Sequence, residues 1–391
     1  MIVAGLMTGT SADALDVALV DLEPDATGAE LSMRLLDHRE VDLPPDLALD
    51  LLRLLEPRDV PLSLVSDVDG RLGRFCGEAV ATVLAEAGTG CDLVVLHGQT
   101  VRHDVTDGVV TSTWQLGQPA WVAERTGVPV LSDVRARDVA AGGQGAPLAG
   151  LLDHLLLAGA AEPVAALNLG GIANVTVVAP GADTLAFDTG PANALIDVVA
   201  RRITGEPRGF DRDGLLAARG TVHAGLLADL LAEPYYGLPA PKSTGKELFH
   251  GAYLDGFLAR YPDLDPHDVA ATVTELTART VADACRAHGV RSVVASGGGT
   301  RNPVLVAALR RELGADVPLT TTDETLGLPE GAKEACLMAL VGWLAWHGLP
   351  GTLPSVTGAA HPTIAGRLTP GAGPLRLPAP LTTSPTALRV R

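Results

Sequence analysis

Short apolar runs of strand length alternate along this chain with longer Ala/Leu-rich stretches of helical period, the pattern of sheets covered by helices. The runs predict strands at Ile2–Met7, Val17–Asp21, Leu93–Leu96, Val128–Leu131, Val164–Leu169, Val175–Val178, Leu185–Phe187 and Ser292–Ala295. Helical spacing predicts Val60–Ala87 in two pieces, Pro119–Arg125, Leu148–Leu157, Ala192–Arg202, Asp268–His288, Pro303–Leu313 and Ala332–Trp346. Asn302-Pro303 is a helix start, because an Asn side chain caps free N–H groups and proline suits the first helical position. The Pro/Thr/Leu-rich tail from about Pro370 predicts loose packing. The fold class is α/β throughout.

One echo spans the chain. Met1–Leu22 reads strand, small polar turn, strand, and Val164–Val178 repeats that order around Gly170-Gly171. Two such hairpins, one in each half, suggest a duplicated architecture.

At roughly 100–200 residues per domain, the length points to two or three domains. The 47% apolar and 19% charged composition excludes disorder and supports a large core. Cys76, Cys91, Cys285 and Cys336 are far apart with no C-x-x-C pair, which excludes a disulfide scaffold and suits a reducing cytoplasm. A net charge of −17 excludes a broad nucleic-acid footprint. A small anion remains possible, since backbone N–H groups hold phosphate without net positive charge. No apolar stretch reaches membrane-spanning length, and the N-terminus lacks the basic region of a signal peptide. The expectation is a cytoplasmic protein with neither nucleic acid nor membrane as partner.

Several segments carry candidate chemistry, each with a plainer structural reading. Gly9-Thr10-Ser11-Ala12-Asp13-Ala14-Leu15-Asp16 fits a phosphate-cradling turn, with Asp13 and Asp16 able to hold Mg²⁺ directly or through water, or it is an ordinary hairpin turn. Gly170-Gly171, with Asn168 and Asn174, allows close backbone approach but is also a common hairpin signal. Gly297-Gly298-Gly299 follows a strand and opens a helix, the place where ligands collect in an open α/β sheet. Neither the G-x-G-x-x-G spacing nor a Walker A sequence is present, since Lys246 is followed by Glu247. Asp188, where a strand ends and a helix begins, suits a general base or a helix cap. His97-Gly98-Gln99-Thr100 ends a strand with groups that suit sugar hydroxyls. Arg135 is a bidentate partner for a carboxylate or the member of an internal Arg–Asp pair, and Gly142–Pro147 after it predicts unusual flexibility. Pro239–Glu247 reads as a linker, and Glu334 opens an apolar helix. No metal-ligand spacing of His and Cys and no Ser-His-Asp arrangement is found.

Together and in this order, the segments resemble the 1,6-anhydro-N-acetylmuramic acid kinases from about Leu6 to about Ala365. The likeness rests on GLMTGTSADALDVALVDL, LHGQTV, ERTGVPVLSDVRARDVAAGGQGAPL, LNLGGIANVT, FDTGPANALID, LPAPKSTGKE, SGGGTRNP, GLPEGAKEA and LPSVTGA. The resemblance implies a two-lobed actin-like sugar-kinase fold, each lobe with an RNase H-like core, with ATP in the cleft between lobes. The first lobe would hold residues 1–132 and about 355–391, and the second residues 133–354.

It makes Gly9 to Asp16 the first phosphate turn, Gly170, Gly171 and Asn174 the second, and Gly297, Gly298, Gly299 and Asn302 the adenosine motif. It implies Mg²⁺-ATP as cosubstrate and a homodimer. The family reaction opens the anhydro ring and phosphorylates O6, with Asp188 as the base that activates water. Gln99, Thr100, Arg135 and Glu334 would contact the amino sugar, Arg135 through its lactyl carboxylate. Departures from the family pattern are Thr8 for serine, Ala14 and Ala192 for glycine, and Arg102 for an aromatic. The rival readings are an ordinary amino-sugar kinase without ring opening, a nucleotide-gated binding protein of the actin/Hsp70 kind, and an inactive paralogue.

Overall fold

The strands in the first part of the chain are β1 (Ile2–Thr8), β2 (Ala14–Pro24), β3 (Glu30–Asp42), β4 (Leu93–Leu96), β5 (Gln99–Thr106), β6 (Val109–Leu116) and β7 (Val130–Ser132). There follow β8 (Val164–Leu169), β9 (Ile172–Val178), β10 (Leu185–Pro191), β11 (Ser292–Ser296) and β12 (Leu319–Thr321). Near the C-terminus lie β13 (Arg367–Thr369) and β14 (Ala387–Val390). This computed structural model describes residues 1–9, 14–56, 59–106, 108–206, 209–245 and 248–391. The chain divides into two units, Met1–Ala158 with Leu326–Arg391, and Gly159–Thr325.

In the first unit a sheet runs β13-β7-β4-β1-β2-β3-β14. β2 runs antiparallel to both of its neighbours, β1 and β3, whereas β4 and β7 run parallel to β1. Both faces are covered, which is why β1 and β4 read as unbroken apolar runs. The register confirms it. Val3, Val20 and Leu93 stand side by side and pack with the helix Lys333–Trp346. One residue on, Ala4, Leu19 and Val94 pack with the helices Pro45–Leu55 and Leu62–Ala87 on the opposite face. Gly5 is required where the helix Lys333–Trp346 crosses, because a Cβ there would sit 2.0 Å from the Ala335 carbonyl oxygen. β5 and β6 form a separate two-stranded sheet.

The second unit repeats the topology. Its sheet runs β10-β9-β8-β11-β12, with β8, β9 and β10 antiparallel and β11 and β12 parallel to β8. One face of β8, through Ala165, Leu167 and Leu169, packs with the helices Asn193–Thr204, Pro266–Ala287 and Pro303–Leu313. The strand order 3-2-1-4-5, three antiparallel then two parallel, is the RNase H-like core, present in both units. The hairpin echo thus marks β1–β2 and β8–β9, the first two strands of each core.

Three expectations are corrected. Residues 133–158 and 326–354 pack with the first unit: Leu151, Leu152 and Leu155 share a core with the helix Lys333–Trp346, which lies on β1, β2 and β4. The stretch expected as two helices is one, Leu62–Ala87, ended by Gly88 in the left-handed region. The tail is not wholly loose, because β14 extends the sheet parallel to β3 and buries Leu388. β3 itself was missed, since its polar outer half (Asp37, His38, Arg39, Glu40) hides the alternation.

Candidate active site

In the second unit the carboxyl ends of β8 and β11 bring two glycine turns together. Ser296 is opposite Asn168 in the parallel pair, so Gly297 follows directly beside the end of β8. Gly297 has φ +88°, and a Cβ there would stand 2.5 Å from Asn168 Oδ1, so only glycine fits. A Cβ on Gly299 would meet that of Leu169 at 2.7 Å. Asn193 ties the Gly170-Gly171 turn to the next helix: its Nδ2 donates to the Leu169 carbonyl at 3.1 Å and the Gly170 carbonyl at 2.8 Å. The backbone N–H groups of Ala192, Asn193 and Ala194 donate to the same turn. Asn302 caps the helix Pro303–Leu313, with Oδ1 accepting from Val304 and Leu305 N–H at 3.1 Å each. That leaves its amide NH₂ as the group a ligand can meet. Asn174 stands opposite Asn168 on one side and Asp188 on the other.

Asp188 lies on β10 just before a bulge at Gly190. Hydrogen bonds from its side chain and backbone fix it. The carboxylate Oδ2 accepts from Thr244 N–H at 2.9 Å and the Ser243 hydroxyl at 3.2 Å. Its backbone N–H donates to the Lys242 carbonyl at 2.9 Å, and its carbonyl accepts from the Tyr235 hydroxyl at 2.8 Å. Lys242 Nζ in turn donates to the Tyr235 and Tyr236 carbonyls and lies 4.7 Å from the Tyr235 ring centre. Lys242, Ser243 and Thr244, from the segment that reads as a linker by composition, therefore clamp Asp188. Composition hides this because Pro, Ser, Thr and Gly are also what a chain needs to turn tightly around a carboxylate.

The remaining candidates lie in the first unit. Thr10, Ser11, Ala12 and Asp13 lie outside the described residues. Gly9 and Ala14 flank them, and Leu15 is a core residue at 1% exposure, so its side chain faces the interior. Asp16 on β2 meets His38 Nε2 at 3.0 Å and is partly exposed. Among the described residues no group of three His, Cys, Asp or Glu side chains forms a metal centre. A lone carboxylate is still the donor set Mg²⁺ uses when phosphate and water supply the rest.

His97, at the end of β4, organises the neighbouring groups. Its Nδ1–H donates to the Gly98 carbonyl at 2.6 Å, which also accepts from Thr8 Oγ1 at 3.0 Å. Its Nε2 accepts from Arg135 Nε at 2.9 Å. Burial first, then the guanidinium charge, lowers the His97 pKa to about 3, so the ring is a neutral acceptor. Arg135 also donates through Nη1 to the Gly145 carbonyl at 2.7 Å. The internal partners of Arg135 are thus His97 and a carbonyl, with no Arg135–Asp hydrogen bond among the described residues. The Gly142–Pro147 loop, expected to be flexible, is tied down by fully buried Asp138, which accepts from Gly145 N–H at 2.8 Å and from Thr357 Oγ1 at 2.7 Å.

Gln99 is buried, its Oε1 without a hydrogen-bond partner among the described residues, and Thr100 Oγ1 accepts from Gln115 Nε2 at 3.1 Å. Glu334 keeps solvent access, yet the protein around it, then the Asp16 charge, pushes its pKa up, while Arg135 and Lys333 pull it down. Asp16, Arg135 and Glu334 therefore share one electrostatic neighbourhood. Arg102 points away into an ion pair with Asp104.

Asn193, Ser243 and Thr244 were not among the predicted site residues, and His97 was read only as part of a polar cluster. All lie inside the quoted motifs, and their roles depend on partners distant in sequence.

Comparison with known proteins fits this picture. A profile of the family described as anhydro-N-acetylmuramic acid kinase matches residues 1–371. The protein named anhydro-N-acetylmuramic acid kinase in Streptomyces coelicolor is 54% identical over 391 residues, covering 100% of this chain and 99% of that one. The protein of the same name in Rhodococcus erythropolis is 46% identical over 398 residues, covering 100% and 99%. Among solved structures, the ROK hexokinase of Thermus thermophilus is 19% identical at a TM-score of 0.36, covering 88% of this chain and 100% of that one, a likeness too distant to bear on chemistry.

Proposed function

The chain belongs to the anhydro-N-acetylmuramic acid kinase family, and from that premise we propose that it opens the 1,6-anhydro ring of anhydro-N-acetylmuramic acid by hydrolysis and phosphorylates O6. The products are N-acetylmuramic acid 6-phosphate and ADP, and the setting is recycling of cell-wall sugar in the cytoplasm by a homodimer. No helix among the described residues is long and apolar enough to cross a membrane, which agrees with that setting.

The observation that carries the reading is the clamp on Asp188. With an amide and a hydroxyl donating to Oδ2, the carboxylate is oriented as an acceptor. It takes a proton from water as the water oxygen bonds to the anomeric carbon. The C1–O6 bond breaks, its electron pair stays on O6, and O6 attacks the γ-phosphorus of ATP as ADP leaves. Phosphoryl transfer asks the protein mainly for positioning and charge stabilisation. The turns at Gly170-Gly171 and Gly297–Gly299 supply backbone approach to the nucleotide. Asp16 and Asp13 would hold Mg²⁺, directly or through water, which supplies charge neutralisation on the phosphates. Arg135 faces the lactyl carboxylate, and Gln99, Thr100 and Glu334 face the hydroxyl and amide groups of the sugar.

Incubation with Mg²⁺-ATP and the anhydro sugar in ¹⁸O-water tests this. The expected product is a phosphosugar with ¹⁸O at the anomeric position, formed by the wild type and lost in Asp188→Asn. ATP turnover with a plain amino sugar but none with the anhydro form would replace this reading by an ordinary sugar kinase. Light scattering at about twice the monomer mass is the expected result for the dimer, and a monomer would refute that part.

A further inference from the structure

Arg135, half-buried after β7, is held by two neutral groups. Its Nε–H donates to His97 Nε2 at 2.9 Å, and its Nη1 donates to the Gly145 carbonyl at 2.7 Å. An Nε–H can only donate, so His97 Nε2 is the acceptor and the ring proton sits on Nδ1, 2.6 Å from the Gly98 carbonyl. That carbonyl is itself fixed. Thr8 Oγ1 donates to it at 3.0 Å, and Gly98, at φ +72°, runs so close to β6 that a Cβ would stand 2.2 Å from the Leu116 carbonyl oxygen. The ring therefore passes to Arg135 a position set by β1 and β6.

A buried cation is ordinarily tied to a carboxylate. Here the carboxylate a turn further along the chain is engaged elsewhere: Asp138, fully buried, accepts from Gly145 N–H at 2.8 Å and from Thr357 Oγ1 at 2.7 Å, one on each oxygen. Asp138 and Glu334 favour the charged guanidinium against burial, yet neither hydrogen-bonds it among the described residues. The cation thus keeps N–H groups unspent on any carboxylate. His97 decides which ones. A carboxylate that pairs along the side of a guanidinium uses Nε–H together with Nη2, and Nε–H is committed. The end of the group, at Nη2, is what a ligand can meet. We infer that His97 is a positioning residue: by occupying Nε–H with a neutral acceptor it leaves the end of Arg135 as the carboxylate-binding edge, and so sets a preference for an anhydro amino sugar that carries a carboxylate over one that lacks it. A neutral acceptor suits the task, since a carboxylate in its place would hold the guanidinium but compete with the ligand for its charge. The consequence for substrate choice rests on the reading of Arg135 as the contact for the lactyl carboxylate.

The test compares His97→Leu, which removes the acceptor, with His97→Gln, which keeps a neutral one; His97→Met serves as the apolar variant should the leucine fail to fold. Two readouts separate the inference from the reading beneath it. The first is the Arg135 Nε–H resonance in ¹⁵N NMR, assigned by its loss in Arg135→Leu. It is expected to be protected from hydrogen exchange in the wild type and in His97→Gln, and to exchange about tenfold faster or more in the apolar variant. An unchanged exchange rate in a folded apolar variant overturns the inference. The second is the ratio of dissociation constants for anhydro-N-acetylmuramic acid and for 1,6-anhydro-N-acetylglucosamine, the same ring without the lactyl group, read by calorimetry with the weaker ligand in competition. The apolar variant is expected to cut the preference for the carboxylated sugar about tenfold, the scale of one charged hydrogen bond, while affinity for the other sugar holds. His97→Gln is expected to restore most of that preference, and the apolar substitution to add nothing in an Arg135→Leu background. Equal weakening for both sugars in the apolar variant marks a purely structural histidine and overturns the inference. A preference that survives Arg135→Leu refutes the lactyl-contact reading and leaves the NMR result to decide whether His97 positions Arg135.

Discussion

The neutral ring of His97 makes a quantitative demand on stability. In the folded chain both nitrogens are committed, Nδ1–H to the Gly98 carbonyl and Nε2 to Arg135 Nε–H. A proton can enter only by displacing a guanidinium, and the folded pKa is depressed to about 3 from 6.5. The sign follows from linkage. A depressed folded pKa means that the unfolded chain binds the proton first, so the His97 contribution is present above pH 6.5 and is lost as pH falls toward 3. The loss is about 1.4 kcal/mol per pH unit in that window, or about 2 kcal/mol between pH 7 and pH 5. Carboxylates and the other histidines titrate over the same range. The useful quantity is therefore the difference between wild type and His97→Gln, measured by urea unfolding at both pH values. Glutamine keeps an acceptor for Arg135 and removes the titration. The stability advantage of wild type over the variant should shrink by about 2 kcal/mol on going from pH 7 to pH 5. A difference that does not change with pH would refute a neutral, doubly bonded ring.

Other outcomes are expected from the same geometry. Asp188→Asn should lower kcat by about 10³-fold or more while ATP binding, read by isothermal calorimetry, stays intact. Ser243→Ala removes a donor to the Asp188 carboxylate and should lower kcat by about tenfold at unchanged sugar KM, the scale of a charged hydrogen bond. Gly297→Ala forces a side chain into φ +88° against Asn168 and should raise ATP KM with little change in sugar KM. Gly5→Ala drives a methyl into the backbone of the helix Lys333–Trp346 and should lower stability by about 3 kcal/mol or more, visible as a drop in Tm.

Much of the fold was legible because its signals are local. Buried strands such as β1 and β8 read as apolar runs, and Asn302-Pro303 announces its own helix start through bonds from Val304 and Leu305 to the Asn302 side chain. What escaped has long-range causes. β3 carries a polar half, and β14 is four residues long and gains its order from β3, hundreds of residues earlier. The boundary between units was misplaced because the helix Lys333–Trp346 joins the first unit by lying on β1, a contact no local pattern records.

The candidate site divides in the same way. The sequence by itself determined the α/β class, the paired hairpins and the family, because periodicity, turn residues and short ordered motifs are properties of neighbouring positions. Only the tertiary structure decided that Ser243 and Thr244 grip Asp188 and that His97 holds Arg135. Each of those depends on desolvating a charge against one partner far along the chain, and burial of that kind exists only once the chain has folded.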